Sequence, residues 1–214
     1  MRKTLRTTGS VFITLGVLIL YFVVYEIFGT SLQTHAHQRA LQKEFAAILD
    51  DPRSHLPDVP TASPTPAAPT AKPGVHGIAE LIIPSIGIDD IVVQGVTLYA
   101  LAYGPGHYPD SADIGAKGTA AIAGHRTGWG SPFYNLNELG TGDTVILKTV
   151  HGTFTYRVTR GNVVVHADDY QVIRGDPNSD AETKLTLTTC TPRYTSKNRL
   201  IVWADLIKAE PVAA

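Results

Sequence analysis

The chain contains a single cysteine, Cys190, in the stretch KLTLTTCTPRYT near its C-terminus. The run KLTLTT is typical of a β-strand and Pro192 ends it, so the thiol is expected at a strand end, where rigid folds present functional groups. A thiolate is a strong nucleophile, but free cysteine has a pKa near 8.5 and needs a base or a cation beside it. The alternative is a buried cysteine that packs as a small apolar residue.

Eight histidines could supply the base, and two of them end strand-like runs. These two are His125, after TAAIAG, and His166, after NVVV, whereas His107 lies in the Gly/Pro-rich stretch GPGHYP. Spacing favours His125, because the glycine-rich stretch GHRTGWGSPF that begins beside it could form the rim of a cleft. His166 could equally be a surface residue. A lone histidine is more often structural than catalytic, so His125 needs partners to count as an acid or base.

Arg199 opens the last strand-like run, RLIVWADL, nine residues after the cysteine. If the strands that carry Cys190 and Arg199 are neighbours, the guanidinium lies at the same end of the sheet as the thiol. Arginine is always charged and carries five donors, so it could stabilise an oxyanion or position a peptide carbonyl. The alternative is an exposed cation at a strand start, like Arg193 and Lys197 nearby.

The elements that must position these residues are short β-rich runs separated by Gly, Pro, Asn or Asp. Eight of them from about residue 75 to residue 209 predict a mainly β domain, either a β-barrel or a β-sandwich, and a mostly antiparallel closed barrel is the preferred interpretation. Short helices are expected in its connections around Tyr99, Leu136 and Tyr170, and a tail follows at 210–214. The predicted strands are IAELIIP, IDDIVVQG, GTAAIAGH, DTVILKT, TFTYRVT, NVVVHA, KLTLTT and RLIVWADL.

The N-terminal part has a different composition. Residues 9–29 are mainly apolar and fit a membrane-spanning helix, which needs about 20 apolar residues. Three basic residues in 1–8 indicate a cytoplasmic N-terminus and an extracytoplasmic domain, with the helix kept as a single-pass anchor of the cell membrane. A cleaved signal peptide is the alternative, but no Ala-x-Ala site follows the run directly.

Two segments connect this anchor to the barrel. Residues 30–50 have apolar positions near helical spacing and predict a helical stalk that continues the anchor. Residues 51–74 are rich in Pro, Ala and Thr, so they predict an extended, semi-stiff linker. The interpretation is a spacer that holds the domain away from the membrane surface.

Composition excludes some classes of partner and site. A formal net charge of −1 argues against nucleic acid, because a phosphate-binding surface needs a basic excess. His, Cys, Asp and Glu show no metal-ligand spacing, so we expect no metal and no cofactor. The acidic residues Asp168, Asp169, Asp176 and Asp180 could hold calcium, but a solvated acidic surface is the preferred interpretation.

Taken together, these motifs resemble those of the sortase family. LTLTTC, followed nine residues later by Arg199, is similar to the sortase signature TLxTC with its arginine, and AIAGHRTGWGSPFYNL is similar to the sortase histidine segment. The variants GHRT and TLTTCTPRYT are most similar to class E, a housekeeping-type branch. The resemblance covers about residues 75–206.

The resemblance implies an eight-stranded sortase barrel and a cysteine transpeptidase. Cys190 would be the nucleophile, His125 the general acid/base and Arg199 the oxyanion-stabilising, substrate-positioning residue. Tyr108 and Thr189 would contact the substrate, with Tyr108 linked to a preference for LAXTG over LPXTG signals. Such enzymes cleave the sorting signal of an exported protein between Thr and Gly, and transfer the acyl group to an amine of a peptidoglycan precursor.

Three alternatives remain. A pilin-polymerising sortase would carry an Asp-Pro-aromatic lid, whereas DDPR at 50–53 lacks the aromatic residue. A tethered binding module with a structural cysteine would have no need for Cys190, His125 and Arg199 in this order. A simple cysteine protease would cleave the signal but form no amine-joined product.

Overall fold

The computed structural model describes residues 2–25, 29–50, 75–176 and 178–212, and its main body is a closed barrel of eight strands. Around the barrel the strand order is β1-β2-β3-β4-β7-β8-β6-β5, and β5 closes it by pairing with β1. The strands are β1 Gly77–Ile83, β2 Ile88–Gln94, β3 Gly106–His107, β4 Gly118–Ala123, β5 Thr144–Thr149, β6 Gly152–His166, β7 Thr183–Thr191 and β8 Asn198–Pro211.

The predicted eight-stranded barrel is confirmed, although two of its strands differ from the prediction. TFTYRVT and NVVVHA are one strand, β6, which pairs with β8 throughout and is irregular between Arg160 and Val163. Within that bulge Asn162 has a φ of 56°, a conformation that asparagine tolerates better than most residues. The eighth strand is instead the two-residue β3, which pairs with β2 and β4.

The barrel interior is filled by the inward-facing side chains that alternate along each strand, as expected for a small barrel. In β5 the buried residues are Val145, Leu147 and Thr149, at a period of two. The largest fully buried side chains are Tyr156, Phe133, Leu81, Ile83, Ile91, Ile122, Leu136, Leu139, Leu147, Leu185, Leu187 and Ile201.

The short helices predicted in the connections are present. α3 is Leu98–Leu101, and the Thr97 side chain caps it by accepting a hydrogen bond from the amide of Ala100. Leu136–Glu138 and Tyr170–Arg174 are single 3₁₀ turns. They lie in the connections β4–β5 and β6–β7, which border the end of the barrel where Cys190 lies.

The N-terminal part contains two helices, α1 Arg2–Val24 and α2 Thr30–Asp50. α1 covers most of the segment 9–29 that was predicted to span a membrane. Across the described parts of the chain, however, no single helix has both the length and the apolar character that a membrane crossing requires. α1 therefore does not meet the expectation of a membrane-spanning helix.

The segment 30–50 is helical, but α2 does not extend away from the domain as a free stalk. α2 contacts β1 and β2, and one of its faces is buried, with Thr30, Thr34, Gln38, Leu41 and Phe45. Leu41 and Phe45 form a second apolar cluster with Ile91, Val93 and Ala100 on the outside of the barrel. The predicted linker 51–74 lies outside the described residues.

Candidate active site

The three residues with predicted chemistry lie on adjacent strands at one end of the barrel. Cys190 is the next-to-last residue of β7 and pairs directly with Arg199 of β8. β4 runs parallel to β7 with Ala123 opposite Thr188, so His125, two residues further on, lies at the level of Cys190. Residues that are distant in sequence are therefore brought together by strand register alone.

Arg199 makes the closest polar contact to the thiol. Its Nη1 lies 3.7 Å from Sγ of Cys190, and the same nitrogen donates to the carbonyls of Ser196 at 3.0 Å and Asn198 at 3.2 Å. These two carbonyls hold the guanidinium beside the sulfur. A fixed positive charge at this distance can stabilise the negative charge that develops in an acyl-transfer intermediate.

His125 follows β4 and is half-buried. Burial lowers the pKa of its imidazole, so the neutral form is favoured. Its Nε2 atom is buried and has no hydrogen-bond partner within the described residues. A neutral imidazole with a free nitrogen can accept a proton from a thiol or from an attacking amine, which is the property a general base needs.

The backbone of the His125 segment is held by hydrogen bonds to β7 and within its own loop. The amide of Gly124 donates to Thr188 O at 3.1 Å, and the carbonyl of His125 accepts from the amide of Phe133 at 3.0 Å. Phe133 is fully buried in the barrel core. The histidine therefore stands on a loop that is closed by a hydrogen bond and anchored by a core residue.

Cys190 and His125 line the same open cleft, of about 780 Å³. One wall is formed by the segment 194–197, from the β7–β8 connection, and the other includes Arg126 and Thr127. The rim carries the exposed ring of Tyr194. This cleft is large enough for a short extended peptide to reach the sulfur.

Tyr108, predicted to contact substrate, is half-buried just after β3. Burial raises the pKa of its phenol, and the nearby positive charge of Arg199 opposes that rise. Tyr170 and Cys190 also lie within electrostatic range of this phenol. The structure thus places Tyr108 with Arg199 and Cys190, although the sequence connects them by no spacing rule.

Thr189, also predicted to contact substrate, is only 3% exposed. Its hydroxyl donates to the carbonyl of Gly124 at 2.7 Å, which joins β7 to the residue before His125. The visible role of this side chain is to hold the histidine and cysteine strands together. Direct contact between Thr189 and a substrate stays a prediction.

Arg126 was missed by the sequence reasoning. It is 7% exposed, and its guanidinium donates to Thr191 Oγ1 at 2.8 Å, to Asn137 Oδ1 at 2.7 Å and to the Cys190 carbonyl at 3.4 Å. All these acceptors are neutral. Its place directly after His125 was the one available signal, but sequence neighbours do not reveal a contact with residues 64 positions away.

The predicted absence of a metal can be compared only with the described residues. Among them, no group of three or more His, Cys, Asp or Glu side chains is placed to hold a metal ion. Within the acidic region, Asp176 is buried, accepts a hydrogen bond from the amide of Asn178 and lies 3.9 Å from Arg160. Asp176 thus already has protein partners.

Comparisons with known proteins agree with this geometry. The Sortase domain family model matches residues 81–207, which is more than half of the chain. The chain belongs to the sortase family. Sortases are cysteine transpeptidases, and the predicted resemblance is thereby confirmed.

Two of the similar proteins are class E sortases from Streptomyces coelicolor. Sortase SrtE1 is 32% identical, and the match covers 96% of this chain and 58% of SrtE1. Sortase SrtE2 is 30% identical, and the match covers 95% of this chain and 82% of SrtE2. The chain therefore spans less than two thirds of Sortase SrtE1. The crystal structure of Sortase E1 with a tripeptide in the active site is 32% identical and has a TM-score of 0.59, over 63% of this chain and 90% of that one.

The lowered pKa of His125 makes the stability of this sortase depend on pH. The unfolded histidine has a pKa of about 6.5, so below that pH the unfolded chain binds a proton more readily than the folded chain does. The free energy of unfolding should therefore fall as the pH drops through about 6.5 towards the lowered pKa, and His125→Gln should weaken this fall. Urea unfolding at about pH 7.5 and about pH 5 measures this difference in the free energy of unfolding.

The matched control for that experiment is His166→Gln, because the His166 side chain is 70% exposed. This variant should keep the pH dependence of the unmodified protein. An equal change in both variants would contradict a special environment at His125.

Substitution of Arg126 should weaken both stability and turnover. Arg126→Lys keeps the charge but cannot reach Thr191, Asn137 and the Cys190 carbonyl together, so we expect a loss of about 2 kcal/mol in unfolding free energy. Urea unfolding and kcat/KM are the measurements. Arg193→Lys is the control, since Arg193 stacks on Tyr134 at 3.9 Å outside the cysteine strand. Equal effects in the two variants would contradict the role of Arg126.

Proposed function

We propose that this sortase cleaves an LAXTG- or LPXTG-type sorting signal between Thr and Gly and transfers the acyl group to an amine of a cell-wall precursor. The observation that carries the proposal is the contact of 3.7 Å between Arg199 Nη1 and Cys190 Sγ, in a cleft that His125 also lines. The proposal is supported because a thiol, a guanidinium and an imidazole lie at the same end of the barrel. A peptide carbonyl bound there would meet all three.

The first half-reaction forms a thioester. The Cys190 thiolate attacks the Thr carbonyl carbon of the signal, and the resulting oxyanion is stabilised by the Arg199 guanidinium. His125, which has taken the proton of the Cys190 thiol, gives that proton to the glycine nitrogen as the C–N bond breaks. The glycine end leaves as an amine, and the acyl group stays on sulfur.

The second half-reaction releases the product. An acceptor amine attacks the thioester carbonyl and gives a proton to His125, and the C–S bond then breaks to regenerate the thiolate. The neutral imidazole favoured by burial suits this step, because it can accept the proton. Water as the attacking group would give hydrolysis, so access of the amine decides between transfer and cleavage.

The chain is further proposed to be tethered to the cell membrane by its N-terminal segment, with the N-terminus cytoplasmic and the barrel extracytoplasmic. Support comes from the apolar sequence at 9–29 and from α1, whose apolar side chains from Val11 to Tyr25 are exposed. A helix that exposes apolar side chains on all sides suits a lipid environment better than water. Exported proteins with sorting signals and lipid-linked precursors would then meet the enzyme there.

The test incubates the full chain with fluorogenic LAXTG and LPXTG peptides, with and without an added amine, and reads the products by mass spectrometry. Cleavage between Thr and Gly with an amine-joined product is the expected result. Cleavage without that product would indicate a protease. No cleavage of either peptide would overturn the proposal.

Tyr108→Ala should reduce the preference for LAXTG over LPXTG. Loss of one positioned side chain beside the reacting groups is expected to change the ratio of kcat/KM values by about 5- to 30-fold. Tyr194→Ala is the control, because Tyr194 also lines the cleft but is 81% exposed. An unchanged ratio in Tyr108→Ala would remove Tyr108 from signal recognition.

A further inference from the structure

Helix α2 is fixed to the barrel by a side chain that binds backbone groups. Gln38 is 5% exposed and makes three hydrogen bonds: Nε2 donates to Ile91 O at 3.0 Å and to Tyr103 O at 2.7 Å, and Oε1 accepts from the Ile91 amide at 2.7 Å. Thr34 Oγ1 donates to Ala102 O at 3.0 Å. Together with the apolar contacts of Leu41 and Phe45, these bonds make α2 part of the catalytic domain.

The N-terminal end of α2 lies at the cleft end of the barrel. Thr30 Oγ1 accepts from the amide of Trp129 at 3.5 Å, and Trp129 is four residues after His125. A Cβ on Gly130 would lie 3.0 Å from the Thr34 side chain, so helix and loop are in close contact. The start of α2 therefore packs on the loop that carries the catalytic histidine.

The C-terminal end of α2 lies at the opposite end of the barrel. Phe45 and Ile48 line a cavity with Thr149 and His151, from the β5–β6 turn. Gly152, at the start of β6, pairs with Pro211 at the far end of β8 from Arg199. With about 30 Å of length at 1.5 Å per residue, α2 spans the barrel from the cleft to this turn.

The residues that flank the segment 51–74 pack at the same place on the domain. Leu49, just before it, and Val75, just after it, pack against the one apolar cluster that contains Leu41 and Phe45. His76 also lies 3.4 Å from Glu44 of α2. The chain is therefore fixed to the same place on the domain before residue 51 and after residue 74, so the length of 51–74 does not set the distance between the domain and α1.

The distance that the chain allows is consequently short. If the 24 residues of 51–74 were a spacer, the domain could stand up to about 80 Å from its tether. With α2 docked, the connection runs from Val24, the end of α1, to Thr30, the start of α2, and it spans at most about 22 Å. The cleft end is the end of the domain attached to that connection.

We propose that α2 holds the cleft end of the barrel next to the lipid surface, so that the length of 51–74 does not set the distance between the domain and its tether. This inference rests on the membrane tether proposed above. The partner is a lipid bilayer, and the surface that meets it is formed by the loop around Trp129 and by the start of α2. An amine on a lipid-linked acceptor would then lie close to the thioester on Cys190.

The test uses energy transfer from a dye on the protein to acceptor-labelled lipid headgroups. The full chain carries one thiol, so a maleimide dye labels Cys190 directly. The comparison variant, Cys190→Ala with His151→Cys, carries the same dye at the opposite end, where His151 is exposed. Both are added to phosphatidylcholine vesicles, and binding is measured separately by co-sedimentation.

Transfer from position 190 should exceed transfer from position 151. Equal or weaker transfer from 190, in a chain that sediments with the vesicles, would overturn the orientation and leave the tether standing. A chain that does not sediment would overturn the tether and the orientation together. The two failures are thus distinguished by the sedimentation result.

Two length changes provide a second measurement. Deletion of residues 55–70 should leave transfer from position 190 unchanged, and insertion of 24 Gly/Ser residues between Gly29 and Thr30 should lower it. A spacer role for 51–74 predicts that the deletion raises transfer. That outcome would overturn the inference even if the two dye positions differed as expected.

Discussion

Cys190→Ala is expected to abolish both cleavage and amine transfer, with a loss in kcat on the order of 10⁴-fold or more. Both half-reactions of the proposed mechanism pass through the thioester on the Cys190 sulfur. The substitution removes one atom from a half-buried position in β7, so the fold should be kept. The measurement is product formation from LAXTG peptide and amine, together with the urea midpoint of the variant.

The control for this variant is Ser196→Ala. Ser196 lines the same cleft as Cys190. Arg199 donates a hydrogen bond to the backbone carbonyl of Ser196, which alanine retains. This variant should keep most of the activity. If Cys190→Ala retained transfer at a measurable fraction of the original rate, the thioester mechanism would be wrong and the cysteine would be a structural residue.

Removal of α2 is expected to cost the barrel most of its stability. Leu41 and Phe45 would be lost, and Ile91 and Val93 beneath them would be exposed to water. At about 2 kcal/mol for each large apolar side chain, the loss is on the order of 5–10 kcal/mol, similar to the whole stability of an ordinary domain. A protein of residues 75–212 should therefore unfold at a much lower urea concentration than one of residues 30–212, or aggregate.

A milder variant separates helix docking from simple truncation. Gln38→Ala in residues 30–212 leaves Ile91 N and O without their side-chain partners, which should cost about 2–4 kcal/mol. Gln42→Ala is the matched control, since Gln42 makes one exposed hydrogen bond of 3.3 Å to Asp89 O. Equal urea midpoints for 30–212 and 75–212 would contradict the assignment of α2 to the domain.

The chemistry of the site was visible in the sequence because it depends on residue types near strand ends. Cys190, His125 and Arg199 each border a strongly β-rich run, and the motifs around them resemble one family. The closed barrel followed from the number of such runs. Local pattern carried this information because strands of five or more residues leave an alternating or apolar signature.

The prediction of individual strands was less accurate where the alternating or apolar pattern is absent. β3 has two residues, too few for any periodicity, and its hydrogen bonds come from neighbours in space. β6 was divided at Gly161 and Asn162, which are typical of a turn, but its pairing with β8 continues across them as a bulge. Long-range pairing with β8 thus overrode a local turn signal.

The sequence by itself determined the barrel class and the family, and it singled out Cys190, His125 and Arg199, which the structure brings to one end of the barrel. The tertiary structure alone decided that α2 docks on the barrel, that Leu49 and Val75 pack on one apolar cluster and that Arg126 joins the histidine and cysteine strands. Gln38 reaches Ile91 across 53 residues and Arg126 reaches Thr191 across 65. Such contacts are made between a side chain and distant backbone or hydroxyl groups, and their geometry exists only once the chain has folded, so no local pattern encodes them.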